Sequence, residues 1–226
     1  MDDKLCDDCT RSLFDPIIVQ DLVGFEELCY ILYDDPDLFA DLFKTVGSMM
    51  KSVWTRFLRE YGDVFCVCRF GDDLGFKSTT LLSADDIRRY IIPCYVPIVE
   101  SIHQAGKPFL MHSCGCIFDI MDDLIDKVKI DAKHSNEDQI ARFPVWVERY
   151  GDRIGNFGGI DTDCVAHFNE AEMREYITDV VRQCRGHGGF AFGSGNSIPN
   201  YDVVDGVDIP GGFVIMNRVI REIRGE

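Results

Sequence analysis

The residues best equipped for chemistry lie in one stretch, Lys107-Pro-Phe-Leu-Met-His112-Ser-Cys114-Gly-Cys116. Pro108 to Met111 is a short apolar run ended by polar and glycine residues, the pattern of a buried parallel strand. His112 and Cys114 then stand at the strand's C-terminal mouth. α/β proteins place reacting groups there because the strand end is rigid while the loop above it varies. An imidazole and a thiol one residue apart, facing one cavity, suit a zinc ion. The same spacing also describes a satisfied histidine beside an inert buried thiol.

Other strand-like runs deliver polar groups in the same way. Asp63 to Phe70 leads into Gly71-Asp72-Asp73-Leu-Gly75. Adjacent carboxylates raise each other's pKa, so Asp72 and Asp73 are candidates for proton transfer, metal binding or substrate orientation; loop aspartates also cap neighbouring amides. The run from Lys129 carries His134 and Glu137 at its end. Arg153 onward ends in Gly158-Gly-Ile-Asp161, two glycines and an aspartate suited to close backbone approach to a ligand. Gly189 to Phe192 leads into Gly193-Ser-Gly-Asn196.

Helical patterns separate these runs. Phe25 to Leu32 reads as a short helix, and Asp35 with Pro36 opens a long one that Gly62 ends. Its Met and aromatic stripe, from Leu38 through Met49, Val53 and Trp54 to Leu58, is expected in the core. Ser83-x-x-Asp86 opens a helix that Pro93 and Pro97 should kink and Gly106 closes. Further helices are expected over 117–127, around Val145–Tyr150, from Asn169-x-x-Glu172 to Arg185, and over Phe213–Ile223. Strand and helix thus alternate five times, or six if Pro16–Gln20 is a strand, which predicts a parallel sheet with helices outside. An eight-stranded barrel uses ~250 residues, and this chain of 226 enters the pattern part-way. The expectation is a single domain over 1–226, a TIM (β/α)8-type barrel lacking its first strands. Open strand edges would then favour an oligomer or a complementing N-terminal segment.

A formal charge of −16 argues against nucleic acid and anionic membrane surfaces as partners. No run approaches the ~18 apolar residues of a membrane span, and Met1-Asp-Asp-Lys-Leu is not a signal peptide; a cytoplasmic protein is expected. The ten cysteines read as free thiols or metal ligands rather than a disulfide framework. A four-thiolate site from Cys6-x-x-Cys9 and Cys66-x-Cys68 is disfavoured, because Cys66 and Cys68 alternate in a strand and would share one buried face.

Four motifs in order resemble the uroporphyrinogen decarboxylase superfamily: Gly71-Asp-Asp-Leu-Gly75, Lys107-Pro-Phe-Leu-Met-His-Ser-Cys-Gly115, Tyr150-Gly-Asp-Arg-Ile-Gly-Asn-Phe-Gly-Gly-Ile-Asp161 and Gly188-Gly-Phe-Ala-Phe-Gly-Ser-Gly195. The resemblance runs from about Phe14 and implies a TIM-type barrel without roughly the first third of a usual member. It implies one of two chemistries, decarboxylation of an acidic tetrapyrrole in porphyrin biosynthesis or methyl transfer between a corrinoid and a thiol or other acceptor. The His-x-Cys-Gly motif is similar to the methyltransferase branch, in which that histidine and cysteine, with a later cysteine, bind a thiol-activating zinc. His112 and Cys114 therefore match metal ligands, with the corrinoid carried by a partner protein and a small-molecule methyl donor or acceptor as substrate. The later cysteine reads Asn196 here, so that either Glu137, His134 or Cys116 completes the shell or the metal use differs in this branch. Asp72 and Asp73 are expected to orient substrate or move protons, and Gly159, Asp161, Asn196 and Glu137 to line the pocket. The decarboxylase alternative uses N-terminal arginines outside the matched part, and a histidine where this chain has Asn196-Ser197. A non-catalytic truncated or split barrel is the third reading.

Overall fold

The computed structural model describes residues 17–198 and 210–225. Cys6, Cys9 and the acidic start lie outside them. Among the described residues five strands form a parallel sheet in chain order: β1 Cys68–Gly71, β2 Phe109–His112, β3 Ala132–His134, β4 Gly155–Ile160 and β5 Phe190–Ser194. By contacts the chain divides into two compact units, residues 1–113 with 117–131, and residues 114–116 with 132–226. No helix among the described residues is long and apolar enough to cross a membrane.

In the first unit the sequence signals at helix ends work as physical chemistry dictates. The Asp35 carboxylate accepts the Leu38 N–H at 3.0 Å and opens the helix Pro36–Tyr61, whose first position is the proline that has no amide to lose. Phe39, Phe43, Met50 and Trp54 of that helix are buried. Leu38, Met49 and Val53 are instead exposed, so the apolar stripe is wider than the face that packs. Ser83 caps Ala84–Asp86 by accepting the Asp86 N–H at 3.1 Å. The helix then widens into a π-helical turn, Ile87–Ile91, before Ile92–Gln104. Pro93 explains the change, since it offers no N–H to the Arg89 carbonyl and its ring crowds that carbonyl.

Two expectations in this unit are corrected. Ile17–Val23 is a helix, not a strand; three β-branched residues in a row hid a helical spacing that buries Val19 and exposes Leu22, and Gly24 stops it at φ 84°. β1 begins at Cys68 rather than Asp63, because Gly62–Val64 coils into a 3₁₀ turn and Val64 to Val67 are exposed. Cys66 is therefore exposed and Cys68 buried, and the two do not share a face. β1 and β2 pair in parallel from Cys68↔Phe109 to Gly71↔His112, with Phe70 and Phe109 rings 4.4 Å apart in the core.

In the second unit β3 starts at Ala132, not Lys129. Lys129 takes the left-handed conformation (φ 65°) that ends the preceding helical turns. β3, β4 and β5 are parallel, in register Ala132↔Gly155 and Asn156↔Phe190. Asn169 and Glu172 form a complete capping box for Glu170–Cys184. Ile160, Val165, Met173, Ile177, Met216 and Val219 make one core between these elements and the helix Pro210–Arg224. Gly159 has φ +107°, and a Cβ there would stand 2.6 Å from the ring of buried Phe143. This glycine lets strand and helix close. Gly159→Ala should cost ~2–3 kcal/mol, from strained backbone and overpacking together, read as an earlier urea midpoint at unchanged slope.

Candidate metal centre

The parallel ladder of β1 and β2 ends at Gly71 and His112, and the chain beyond is pinned by hydrogen bonds. The Asp72 N–H donates to the His112 carbonyl at 2.8 Å, and the Leu74 N–H donates to Ser113 Oγ at 3.3 Å. A Cβ at Gly71 would lie 3.2 Å from His112 Cδ2, so glycine there leaves room for the imidazole. Asp72 is only 3 % exposed, and its carboxylate accepts the Tyr95 hydroxyl. Asp72 is thereby committed to the fold. Asp73, the next residue, is half-buried, and its carboxylate, the His112 imidazole and the Cys114 thiol offer ligand atoms all within 4.8 Å of one another. Only Ser113 separates His112, the last residue of β2, from Cys114, so the chain itself holds them close.

Cys114 is further surrounded by the loop after β3. Ser135 Oγ donates to Cys114 Sγ at 3.3 Å and the Asn196 amide donates to it at 3.2 Å. Glu137 Oε1 accepts the Gly115 N–H at 3.4 Å. The Asn136 N–H donates to the Gly195 carbonyl at 2.9 Å, and its side-chain amide donates to the Phe157 carbonyl at 2.9 Å. Asp161 accepts the Asp138 N–H on one oxygen and the Asp163 N–H on the other, each at 2.7 Å. The Tyr176 hydroxyl donates to Asp138 at 2.9 Å. Burial raises the Asp138 carboxyl above its usual range, and burial, with Asp138 beside it, raises the Tyr176 phenol.

Lys133, in the middle of β3, is 2 % exposed. Its ammonium donates to the Ser135 carbonyl and lies 4.1 Å from the centre of the Trp146 ring. Burial pushes its pKa down from 10.5 to about 7, opposed by the charges of Cys114 and Glu137.

The residues singled out in the sequence thus divide. Asp73, His112 and Cys114 come together; Asn196 reaches the same sulfur as a hydrogen-bond donor. Glu137 holds Gly115, His134 Nε2 meets the Ser194 carbonyl at 3.1 Å, and Cys116 is outside the cluster. Asp161 is a latch for the loop, Gly159 packs under Phe143, and Asp72 is held by Tyr95. Sequence reasoning passed over Lys133, Ser135, Asn136 and Tyr95. Only Lys133 carried a signal, a charge in the centre of a strand.

The three-residue cluster could hold a metal ion, and its donor types are ones that zinc accepts. One imidazole, one thiolate and one carboxylate make three protein ligands and leave a fourth position open, the arrangement of catalytic rather than structural zinc. Ligands around a tetrahedral zinc stand ~3.5 Å apart, so the cluster needs only a small closure. The Asn196 amide, outside this donor set, donates to the Cys114 sulfur and would orient it.

The family model described as uroporphyrinogen decarboxylase (URO-D) matches residues 18–204. The chain belongs to the uroporphyrinogen decarboxylase family. Among solved structures this URO-D family chain is similar to a methyltransferase from Methanosarcina mazei, with a TM-score of 0.69 and 16 % identity, over 93 % of this chain and 57 % of that one. The chain therefore spans 57 % of that protein's length. At this identity the likeness shows the fold, that of a TIM-type α/β barrel, represented among the described residues by five parallel strands. No curated protein matches the chain.

Proposed function

We propose that this URO-D family chain is a zinc-dependent methyltransferase that moves a methyl group between a corrinoid, carried by a partner protein, and a thiol or another acceptor. The observation that carries the reading is the meeting of Asp73, His112 and Cys114; the structural likeness to a methyltransferase supports it. Zinc bound there supplies Lewis acidity that keeps an acceptor thiol ionised near neutral pH. His112, Cys114 and Asp73 hold the ion. Ser135 and Asn196 donate to the Cys114 sulfur, drawing off part of its charge and fixing its direction. Asp72 keeps the Asp73 backbone in place through Tyr95 and the His112 carbonyl. Asp161 and Glu137 hold the loop and Gly115 against movement while substrate enters.

The test is metal analysis of the reduced, purified chain. About one zinc per chain is expected, falling in Asp73→Asn and retained with tighter binding in Asn196→Cys. That second change places a soft thiolate where an amide already lies 3.2 Å from Cys114 Sγ, and zinc affinity should rise at least about tenfold. A metal-free parent that Asn196→Cys does not alter would remove the zinc reading and leave the decarboxylase chemistry, which uses no metal.

A further inference from the structure

Ser135 is a non-glycine residue with φ 94°, buried, at the end of β3. Serine does not choose this conformation, so the surroundings must impose it. On its C-terminal side Asn136 is fixed by two hydrogen bonds, to the carbonyls of Gly195 and Phe157. Toward β3, the Lys133 ammonium takes the Ser135 carbonyl. With the carbonyl turned to Lys133, the hydroxyl of the same residue meets Cys114 Sγ at 3.3 Å. Lys133 is packed over Trp146 in the interior, where an apolar side chain would fill the space without a charge.

We propose that Lys133 and Ser135 act as one positioning device for Cys114: Lys133 holds the strained Ser135 backbone so that the hydroxyl is aimed at the sulfur. The inference rests on the reading of Cys114 as a working ligand. It assigns to a buried lysine control over the direction and hydrogen bonding of the Cys114 sulfur.

The test uses the full, reduced chain with Ser135→Gly, Lys133→Met and the double variant. Glycine accepts the φ of Ser135 at no strain and methionine fills the lysine's space, so both are expected to keep the fold, checked by near-ultraviolet circular dichroism. Zinc dissociation constants are measured by competition with a chromophoric chelator, and alkylation of Cys114 by iodoacetamide is followed on its own peptide in metal-free protein. Ser135→Gly should weaken zinc about tenfold. Lys133→Met should weaken it by a similar factor, and the double variant by no more than either, because both changes remove one hydrogen bond by the same route. Unchanged zinc affinity in Lys133→Met, or losses that multiply to about a hundredfold in the double variant, overturns the proposal. If the parent takes up no zinc the zinc reading falls, and the alkylation rates decide the device alone. At least about threefold slower labelling of Cys114 in each single variant, and no further slowing in the double, supports it; equal rates in all four proteins refute it.

Discussion

Lys133→Met is expected to make the metal-free chain more stable than the parent at pH 7, and to lose most of that advantage by pH 10. Burial lowers the folded-state pKa of Lys133 from 10.5 to about 7. Between those values the unfolded chain carries a proton that the folded chain does not, so the penalty that Lys133 places on the parent shrinks as pH rises across this window. Below about pH 7 both states are protonated and the burden of the buried charge is present in full. At ~1.4 kcal/mol per pKa unit the shift sets a ceiling of roughly 4–5 kcal/mol. Methionine also forfeits the hydrogen bond to the Ser135 carbonyl and the contact over Trp146, so a gain of about 2–3 kcal/mol at pH 7 is expected. Urea unfolding of both proteins at pH 7, 8.5 and 10 reads it. Groups common to the two proteins cancel in the difference. A gap that does not narrow with pH would mean that Lys133 keeps its ordinary pKa and is not held in the interior as described. The same substitution is expected to loosen zinc, so stability and site order move in opposite directions, as they do where a site is built from strained and buried polar groups.

The fold was legible wherever a local rule had no competitor. Asp35 with Pro36, and Asn169 with Glu172, announce helix starts because unsatisfied amides at a helix end need those side chains at those offsets. The parallel strands were legible from short apolar runs ended by glycine and polar residues. Strand starts were not, since Val64 to Val67 and Ile17 to Val19 have strand-forming side chains, yet Val64 ends a turn, Phe65 to Val67 stay exposed outside the sheet, and Ile17 to Val19 lie in a helix. In the candidate site, residue type singles out His112 and Cys114, which the structure brings together with Asp73. It did not reveal which aspartate joins them, because neighbouring residues point apart and Tyr95, far along the chain, claims Asp72. Asp161 read as a pocket aspartate, yet its two oxygens are taken by the amides of Asp138 and Asp163. Asn196 stands where the resemblance implies a third ligand; in the structure its amide donates to the Cys114 sulfur. Ser135 gave no sign at all, for nothing in a serine predicts φ 94°.

Cys114→Ser is expected to take zinc from about one per chain to none under conditions in which the parent is loaded, and to remove methyl transfer with it. A serine hydroxyl stays protonated near neutral pH, so the change deletes both a ligand and one of the two negative charges that balance the ion. The loss should exceed ~100-fold in affinity, roughly 3 kcal/mol. The fold should hardly notice. Serine is close to cysteine in shape, and the donors from Ser135 and Asn196 find an oxygen where they found sulfur, so the urea midpoint of the metal-free variant should match the parent's. Cys116→Ser leaves the cluster of Asp73, His112 and Cys114 untouched and should retain zinc. In the parent, protons compete with the ion for imidazole and thiolate, so bound zinc should fall as pH drops below ~6 and return when pH is restored. Metal content, chelator competition and unfolding on the same preparations separate the outcomes. If Cys114→Ser binds zinc like the parent, or loses it only by unfolding, Cys114 is not a ligand and the methyl-transfer reading loses its centre.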